Sequence, residues 1–208
     1  MLDNIHNANI IYQVFLQLHI IGIIYIMKKQ KKTEIEKATY DDTNYFLTGE
    51  IETSNVMSAI KWIYEANEND KVEGPINIYI NSEGGQCCDA YALIDVMRSS
   101  RKPVATIGMG VICSAAFMIL AAGAKGHRKL GKNTSVMMHQ LNHDWGGNCS
   151  DLKSLGSEID YHHKRMIKIL EESTGLDKQG VQDNFLRPTD RWFTSQEAVK
   201  LGVVDKIF

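Results

Sequence analysis

GVICSAAFMILAAG, residues 110–123, is the stretch that decides the fold of this chain. From Ala115 to Ala122 every residue is apolar and most are small, which is typical of a short helix packed on all sides. Ser114 stands at the N-terminal end of this predicted helix. Free backbone N–H groups and the positive end of the helix dipole stabilise an anion that forms there. A serine beside alanines is more often a packing residue or an N-cap, so its surroundings have to decide its role.

Strands and helices alternate on both sides of this stretch. Strand-like apolar runs lie at 45–47, 76–80, 104–109 and 135–139, and a closing strand is predicted to begin at 203–204. Apolar residues recur at helical spacing in 56–64 and around Leu93, Ile94 and Met97. Short connections between such elements predict stacked βαβ units and a mostly parallel sheet. A long amphipathic helix follows at about 151–173, and a capping box at 194–197 opens a last short helix.

Three polar residues that could serve as nucleophile, base and orienting acid lie in separate motifs. Ser114 is the candidate nucleophile, His139 lies in SVMMHQ at 135–140, and Asp190 lies in TDRW at 189–192. A hydroxyl is a poor nucleophile unless a base takes its proton, and that base needs a third group to fix its tautomer. The run IYINSEGG at 78–85 adds a short strand that ends in two glycines, where a backbone can approach a ligand closely.

Together these motifs resemble one known family. Over roughly residues 45–208 the chain is similar to the proteolytic subunit of the caseinolytic protease, the ClpP family of serine peptidases. The run LAAGAKG at 120–126 and the pair His139-Gln140 carry the resemblance most specifically. The resemblance implies an α/β fold of the ClpP/crotonase type, a superhelix of stacked βαβ units with a protruding handle helix at about 151–173.

The resemblance also implies a role for each matching residue. It assigns catalysis to Ser114, His139 and Asp190; Asp183 is the alternative acid, because the interval from histidine to aspartate is slightly longer than the family's. The other implied roles are oxyanion-hole N–H groups of Gly85 and Ala115, substrate-strand pairing by Gly85, Gln86, Cys87 and Leu141, and docking of a partner ATPase at Tyr79. Glu83 stands where the family has proline, which places a charge near the expected peptide groove.

The implied function is that of a serine endopeptidase subunit in a compartmentalised protease. We expect homo-oligomeric stacked rings, heptameric by resemblance, that receive unfolded polypeptides from a separate AAA+ unfoldase. That ATPase uses the ATP, so we expect this chain to bind no cofactor and no metal. Two alternatives stay open: a non-catalytic ring subunit that keeps the fold, and an acyl-CoA-handling crotonase-type enzyme that uses carboxylates in place of Ser114 and His139.

Two local motifs partly match known ligand-binding motifs, one for nucleotide phosphates and one for zinc, but each lacks a required residue. GHRKLGKN at 126–133 nearly matches a phosphate-binding P-loop, yet Asn133 stands where a serine or threonine binds Mg²⁺. His139 and His143 are four residues apart, but Gln140 replaces the glutamate of a helical zinc motif. We therefore expect neither a nucleotide site nor a zinc site at these positions.

Composition narrows the class of protein further. The 208 residues are 44% hydrophobic and 23% charged, which suits one globular domain. A net charge of −2 offers no electrostatic footprint for nucleic acid. The four cysteines show neither Cys-x-x-Cys spacing nor an extracellular disulfide pattern. We expect a cytoplasmic protein without nucleic-acid or membrane partners.

Residues 1–44 are interpreted as an extension that precedes the peptidase domain at 45–208. Segment 10–27 is almost continuously apolar, and segment 28–32 is basic. Three interpretations stay open: translation that begins at Met27, a membrane anchor whose basic flank keeps the globular part in the cytoplasm, or a packed helix.

Overall fold

The computed structural model describes residues 41–142 and 148–208. The predictions for segments 10–27 and 28–32, for Met27 and for His143 lie outside these residues, and the boundary at 44/45 stays a prediction. The elements are β1 (Asn44–Thr48), α1 (Thr53–Glu68), β2 (Ile76–Ser82), α2 (Cys87–Ser99), β3 (Val104–Cys113), α3 (Ala115–Ala121), β4 (Arg128–Leu130), β5 (Ser135–Met138), α4 (Cys149–Thr174), α5 (Lys178–Asn184), β6 (Arg191–Phe193), α6 (Ser195–Lys200) and β7 (Lys206–Ile207).

One mixed sheet organises this part of the chain. Its main path runs β1-β2-β3-β4-β7 with every neighbouring pair parallel, and β5 branches from the far end of β3. Only β6, which pairs antiparallel with β5, departs from the parallel arrangement among the described strands. Strands joined through helices pair in parallel, because the connecting helix returns the chain to the end of the sheet at which the previous strand began. The predicted α/β fold with stacked βαβ units is confirmed.

Helix α3 lies at the centre of the core. All seven of its residues are buried, as its unbroken run of apolar side chains predicts. Phe117 of this helix packs against Phe185 and Phe193, with ring centroids 5.3 and 5.6 Å away. The long helix α4 packs on α3, and its C-terminal half contributes the buried Met166 and Leu170 to the same core. The residue that precedes α3 is therefore held by packing from several elements.

Strands β3 and β7 differ most from their predicted limits. Strand β3 continues past Met109 to Cys113, and it accommodates Gly110 at φ 66° through a bond from the Val111 N–H to the Asn81 side chain. The closing strand does not begin at Val203 and Val204. Their N–H groups bond to the Ala198 carbonyl and finish α6, so β7 starts only after Asp205.

The long helix α4 spans Cys149–Thr174, close to the predicted 151–173. Asn148 caps its start by accepting bonds from the N–H groups of Ser150 and Asp151, and Gly175 at φ 82° ends it. Its first half carries Leu152, which is 41% exposed, and Tyr161 further along is 56% exposed. No helix in the described ranges is long and apolar enough to cross a membrane.

Candidate active site

Ser114 lies at the junction of β3 and α3, in a backbone conformation that serine rarely adopts. Its φ of 53° and ψ of −119° make it the one non-glycine residue with positive φ in the described part of the chain. Such strain costs about 1–3 kcal/mol and persists only where the surroundings enforce it. The Ser114 N–H bonds to the Met137 carbonyl at 3.1 Å, and its side chain makes no capping bond to α3. The sharp turn thus leaves the hydroxyl available to another group.

His139 follows the strand next to this turn. Strand β5 runs parallel to β3, with Cys113 opposite Met137, so the residues after both strands emerge at the same edge of the sheet. His139 therefore leaves β5 beside the start of α3, with 18% of its side chain exposed.

Asp190 is brought to the same place by the antiparallel strand. In the register of β5 and β6, Met138 lies opposite Arg191, and one further step places His139 opposite Asp190. The Asp190 Oδ1 is 3.9 Å from the His139 Nδ1, which is an electrostatic contact but too long for a hydrogen bond. Asp183, the alternative acid, instead lies on α5 and accepts a bond from Gln179 at 2.9 Å. The geometry favours Asp190.

A residue that the sequence did not indicate also reaches the imidazole. The Asn142 Nδ2 lies 3.1 Å from the His139 Nδ1, closer than the Asp190 carboxylate. Among residues 41–142 and 148–208, no hydrogen bond joins this ring to the Ser114 hydroxyl. An asparagine three positions after a histidine carries no sequence signal of this role.

The two glycines after β2 form the loop that faces Ser114. The Gly84 Cα packs against Ser114 and the Cys113 carbonyl, and its N–H bonds to the buried Ser82 hydroxyl at 3.1 Å. Gly85 forms a parallel bridge with Ile51: the Ile51 N–H bonds to the Gly84 carbonyl at 2.8 Å and the Gln86 N–H bonds to the Ile51 carbonyl at 2.7 Å.

This bridge fixes the direction of the Gly85 N–H. Successive residues of an extended segment direct their N–H and C=O groups to opposite edges. Since Gly84 and Gln86 use the edge toward Ile51, the Gly85 N–H lies on the opposite, open edge. Ala115 starts α3, where a first-turn N–H has no intrahelical acceptor. Neither N–H group therefore faces a backbone acceptor in its own loop or helix, and their expected role at an oxyanion hole stays a prediction.

The segment expected to pair with a substrate strand is only partly extended. Gln86 is the extended N-cap of α2, whereas Cys87 is the first residue of that helix. Leu141, on the other side, follows β5 and packs partly buried against the core. The open main-chain groups of this segment are therefore concentrated at Gly85.

Charge around the loop is negative. Glu83 is exposed, and it lines a cleft of about 520 Å³ together with Glu50 and both glycines. Burial, followed by the charge of Glu83, raises the pKa of the neighbouring Cys113 thiol. A thiol with a raised pKa holds little thiolate at neutral pH, so Cys113 is a poor nucleophile despite its position beside Ser114.

Tyr79, expected at a docking surface, lies on β2, the strand that precedes the glycine loop. Its ring stacks on Phe46 of β1, with centroids 4.9 Å apart, and Phe46 is 40% exposed. The described residues contain no cluster of three or more His, Cys, Asp or Glu side chains that could hold a metal ion. The expectation that no cofactor binds stays a prediction.

The fold and the site define a class of protein. It is an α/β protein with a mostly parallel sheet, in which a strained serine, a histidine and an aspartate follow or precede neighbouring strands at one edge, next to a glycine loop. The family model described as Clp protease matches residues 27–208. The chain belongs to the Clp protease family.

Curated relatives agree with this assignment. The chain is 35% identical to ATP-dependent Clp protease proteolytic subunit 1 of Leifsonia xyli subsp. xyli over 80% of this chain and 83% of the relative. It is 36% identical to ATP-dependent Clp protease proteolytic subunit 2 of Thermobifida fusca over 65% of this chain and 66% of the relative. The subunit 2 of Rhodococcus jostii is 36% identical over 64% and 67%. The predicted family is confirmed, and the chain is a Clp protease subunit.

Proposed function

We propose that this subunit is a serine endopeptidase whose nucleophile is Ser114. The observation that supports this most strongly is the register of β3, β5 and β6, which directs Ser114, His139 and Asp190 to one sheet edge although they lie far apart in the sequence. The strained turn at Ser114 is a second, independent support, because backbone strain of this kind clusters at reacting groups.

The proposed reaction is acyl transfer through an acyl-enzyme. The Ser114 Oγ forms a bond to the substrate carbonyl carbon while its proton passes to the His139 Nε2, and Asp190 stabilises the imidazolium through Nδ1–H. The carbonyl oxygen gains the negative charge and accepts bonds from the Gly85 and Ala115 N–H groups. Each such donor typically contributes about 3–4 kcal/mol to transition-state stabilisation. The carbon–nitrogen bond then breaks as His139 gives the proton to the leaving amine, which leaves an acyl-enzyme on Ser114. Water, deprotonated by His139, attacks the acyl-enzyme and releases the acid product and the Ser114 hydroxyl.

Peptide recognition is proposed to rely on main-chain groups. The open edge of Gly85 on one side and Leu141 on the other would pair with an extended polypeptide, a mode that tolerates most side chains. Gln86 and Cys87 flank this edge in the proposal. The acidic cleft beside Glu83 adds a preference for positively charged side chains nearby.

The assembled form is proposed to be two stacked rings, heptameric by resemblance, that a separate AAA+ unfoldase supplies with unfolded polypeptides in the cytoplasm. Helix α4 supports ring stacking, because the exposed Leu152 and Tyr161 lie on a long amphipathic helix. The stack of the half-buried Tyr79 on the exposed Phe46 supports docking of the ATPase. Sedimentation velocity and negative-stain images of the full chain test the ring, since a monomer that cleaves peptides at full rate contradicts it.

A fluorophosphonate probe tests the chemistry directly. We expect the wild-type chain to be labelled at Ser114 alone, and Ser114→Ala to abolish both labelling and peptide cleavage while the chain stays folded. Cys113→Ala is the matched control, because it alters the adjacent buried side chain and leaves the nucleophile in place. Labelling that survives in Ser114→Ala contradicts the assignment.

A second candidate is a non-catalytic ring subunit. The observation that favours it is the His139 ring, which contacts Asn142 more closely than Asp190 and makes no hydrogen bond to Ser114. Such a subunit would assemble and bind polypeptides but resist the fluorophosphonate at all pH values. The labelling experiment therefore separates the two candidates.

A further inference from the structure

Two side chains compete for one nitrogen of His139. The Nδ1 atom has the Asn142 amide nitrogen at 3.1 Å and the Asp190 carboxylate oxygen at 3.9 Å. Asn142 is exposed, and 60% of the Asp190 side chain is exposed, so neither group is locked in place by packing. The shorter contact belongs to a residue to which neither the motifs nor the proposed mechanism gives a role.

The two contacts require opposite tautomers of the imidazole. A neutral imidazole carries one N–H, so the nitrogen that accepts a bond cannot also donate one. When the Asn142 amide donates to Nδ1, the proton lies on Nε2, and Nε2 has no lone pair to take the Ser114 proton. When Nδ1–H donates to Asp190, the Nε2 lone pair is free for that proton.

We propose that Asn142 is a positioning residue that holds His139 in the Nε2–H tautomer and keeps the site latent. Activation then consists of the loss of the Asn142 contact and closure of Asp190 onto Nδ1–H. The inference rests on the proposed serine peptidase function, which it deepens by naming how the base is switched on.

The same contact suggests what releases the imidazole. Leu141, which directly precedes Asn142, is the residue proposed to pair with the substrate strand. A peptide bound at the Leu141 backbone reorients the next peptide unit and withdraws the Asn142 amide from Nδ1. The substrate itself would then convert the resting site to the reactive one.

The size of the effect follows from the kind of bond. A hydrogen bond between neutral, exposed groups shifts an equilibrium by about twofold to tenfold. We therefore expect Asn142→Ala to raise the rate of Ser114 labelling by about twofold to tenfold at neutral pH. Asn142→Asp keeps the shape of the side chain but can only accept from Nδ1–H, so it should react at least as fast as Asn142→Ala.

The experiment uses the full chain and two readouts. Fluorophosphonate labelling rates are measured for the wild type, Asn142→Ala and Asn142→Asp. Nitrogen-15 NMR of the histidine rings reports the tautomer of His139 without any reaction, with His139→Gln used to assign its signals. We expect the wild type to show the Nε2–H pattern and both variants to shift toward Nδ1–H. Urea unfolding checks that the variants stay folded.

Several results would overturn the proposal. Slower labelling of Asn142→Ala would mean that the amide oxygen accepts from Nδ1–H and assists the base. An Nδ1–H pattern in the wild type, or an unchanged pattern in Asn142→Ala, would show that Asn142 does not hold His139 in the Nε2–H tautomer. Failure of the proposed function looks different: no labelling in any variant, or labelling that survives Ser114→Ala, contradicts the peptidase assignment while the tautomer measurement stands by itself.

Discussion

Gly84 lies so close to Ser114 that a β-carbon on Gly84 would stand 2.8 Å from the Ser114 Cβ and 2.8 Å from the Cys113 carbonyl oxygen. No non-bonded carbon approaches its neighbours that closely in a relaxed structure. The proposed nucleophile and the glycine loop therefore share one packed contact, and a change on either side displaces the other.

Replacement of Gly84 by alanine should damage both stability and activity. The clash adds an overpacking cost of about 1–3 kcal/mol to the strain of an alanine at φ 106°. Gly126→Ala is the matched control, because Gly126 also has a positive φ, 84°, but open space around its Cα. Urea unfolding and fluorophosphonate labelling measure the two effects. Equal losses in both variants would show that crowding at Ser114 contributes nothing.

The strained backbone at Ser114 should lower the stability of the fold, and substitutions at this position can measure that cost. The free energy of unfolding of Ser114→Gly should exceed that of Ser114→Ala by about 1 kcal/mol, because glycine adopts φ 53° without steric cost. No capping bond is lost in either variant, since the Ser114 side chain makes none to α3. Chemical denaturation of both inactive variants measures the difference. An alanine variant as stable as the glycine variant would mean that the turn relaxes on substitution.

Asp190→Asn should lower peptide turnover by about 10⁴-fold, because an amide at this position favours the wrong tautomer of the base. Asp183→Asn should be nearly silent, since Asp183 bonds to Gln179 on the surface of α5. Steady-state cleavage of a short fluorogenic peptide measures both. The reverse pattern, a silent Asp190→Asn and an inactive Asp183→Asn, would show that the long interval before β6 had been aligned incorrectly.

Arg128 and Asp205 should carry much of the acid sensitivity of the fold. Arg128 is 4% exposed, and its guanidinium bonds to Asp205 and to the carbonyl groups of Ala121, Ser173 and Gly202. Burial alone raises the pKa of Asp205, but the hydrogen bonds and charge of Arg128 outweigh it and hold the pKa below its usual value.

A carboxylate with a lowered pKa stabilises the folded state above the unfolded pKa of about 4, and this stability is lost as the pH falls through the folded pKa. Stability to urea should therefore decline below about pH 4 in the wild type and less steeply in Asp205→Asn. At neutral pH, Arg128→Met should cost about 3–5 kcal/mol. The exposed pair of Arg101 and Glu68 is the control, and Arg101→Met should cost under about 1 kcal/mol.

Tyr79→Ala should spare cleavage of a short peptide and impair degradation of a folded substrate supplied with the ATPase and ATP. The reason is position, because Tyr79 stacks on Phe46 of β1 and not on the glycine loop. Tyr64→Ala is the control, since Tyr64 is 59% exposed on α1 and outside this aromatic stack. Equal loss of both activities in Tyr79→Ala would assign the residue to folding or catalysis and not to docking.

Much of the fold followed from periodicity. The apolar run of α3, the strand before the glycines and the capping box of Thr194 and Glu197 are local patterns, and the structure reproduces them. The strand predicted at Val203 was wrong, and it shows what hydrophobic patterns do not reveal. Two buried valines predict a strand, but their N–H groups cap a helix, and a hydrogen-bond partner cannot be read from hydrophobicity.

In the candidate site, too, residues in local motifs could be predicted from the sequence, whereas contacts made by the folded chain could not. Ser114, His139 and Asp190 could be selected because each lies in a recognisable motif, whereas Asn142 lies in none. Its contact with His139 depends on how the chain turns after β5, and this turn has no periodic pattern. The strain at Ser114 was equally hidden, since serine gives no sign of a positive φ.

The pairing of β6 with β5 also bears on when the site can exist during synthesis. Asp190 reaches His139 only after β6 has joined β5, and a nascent chain must be made past Phe193 before that pairing can form. Such a late, non-local pairing lags behind the local βαβ units during folding. A ribosome-bound subunit that has not yet paired β6 with β5 would thus lack the Asp190 contact to His139 on which the proposed mechanism depends.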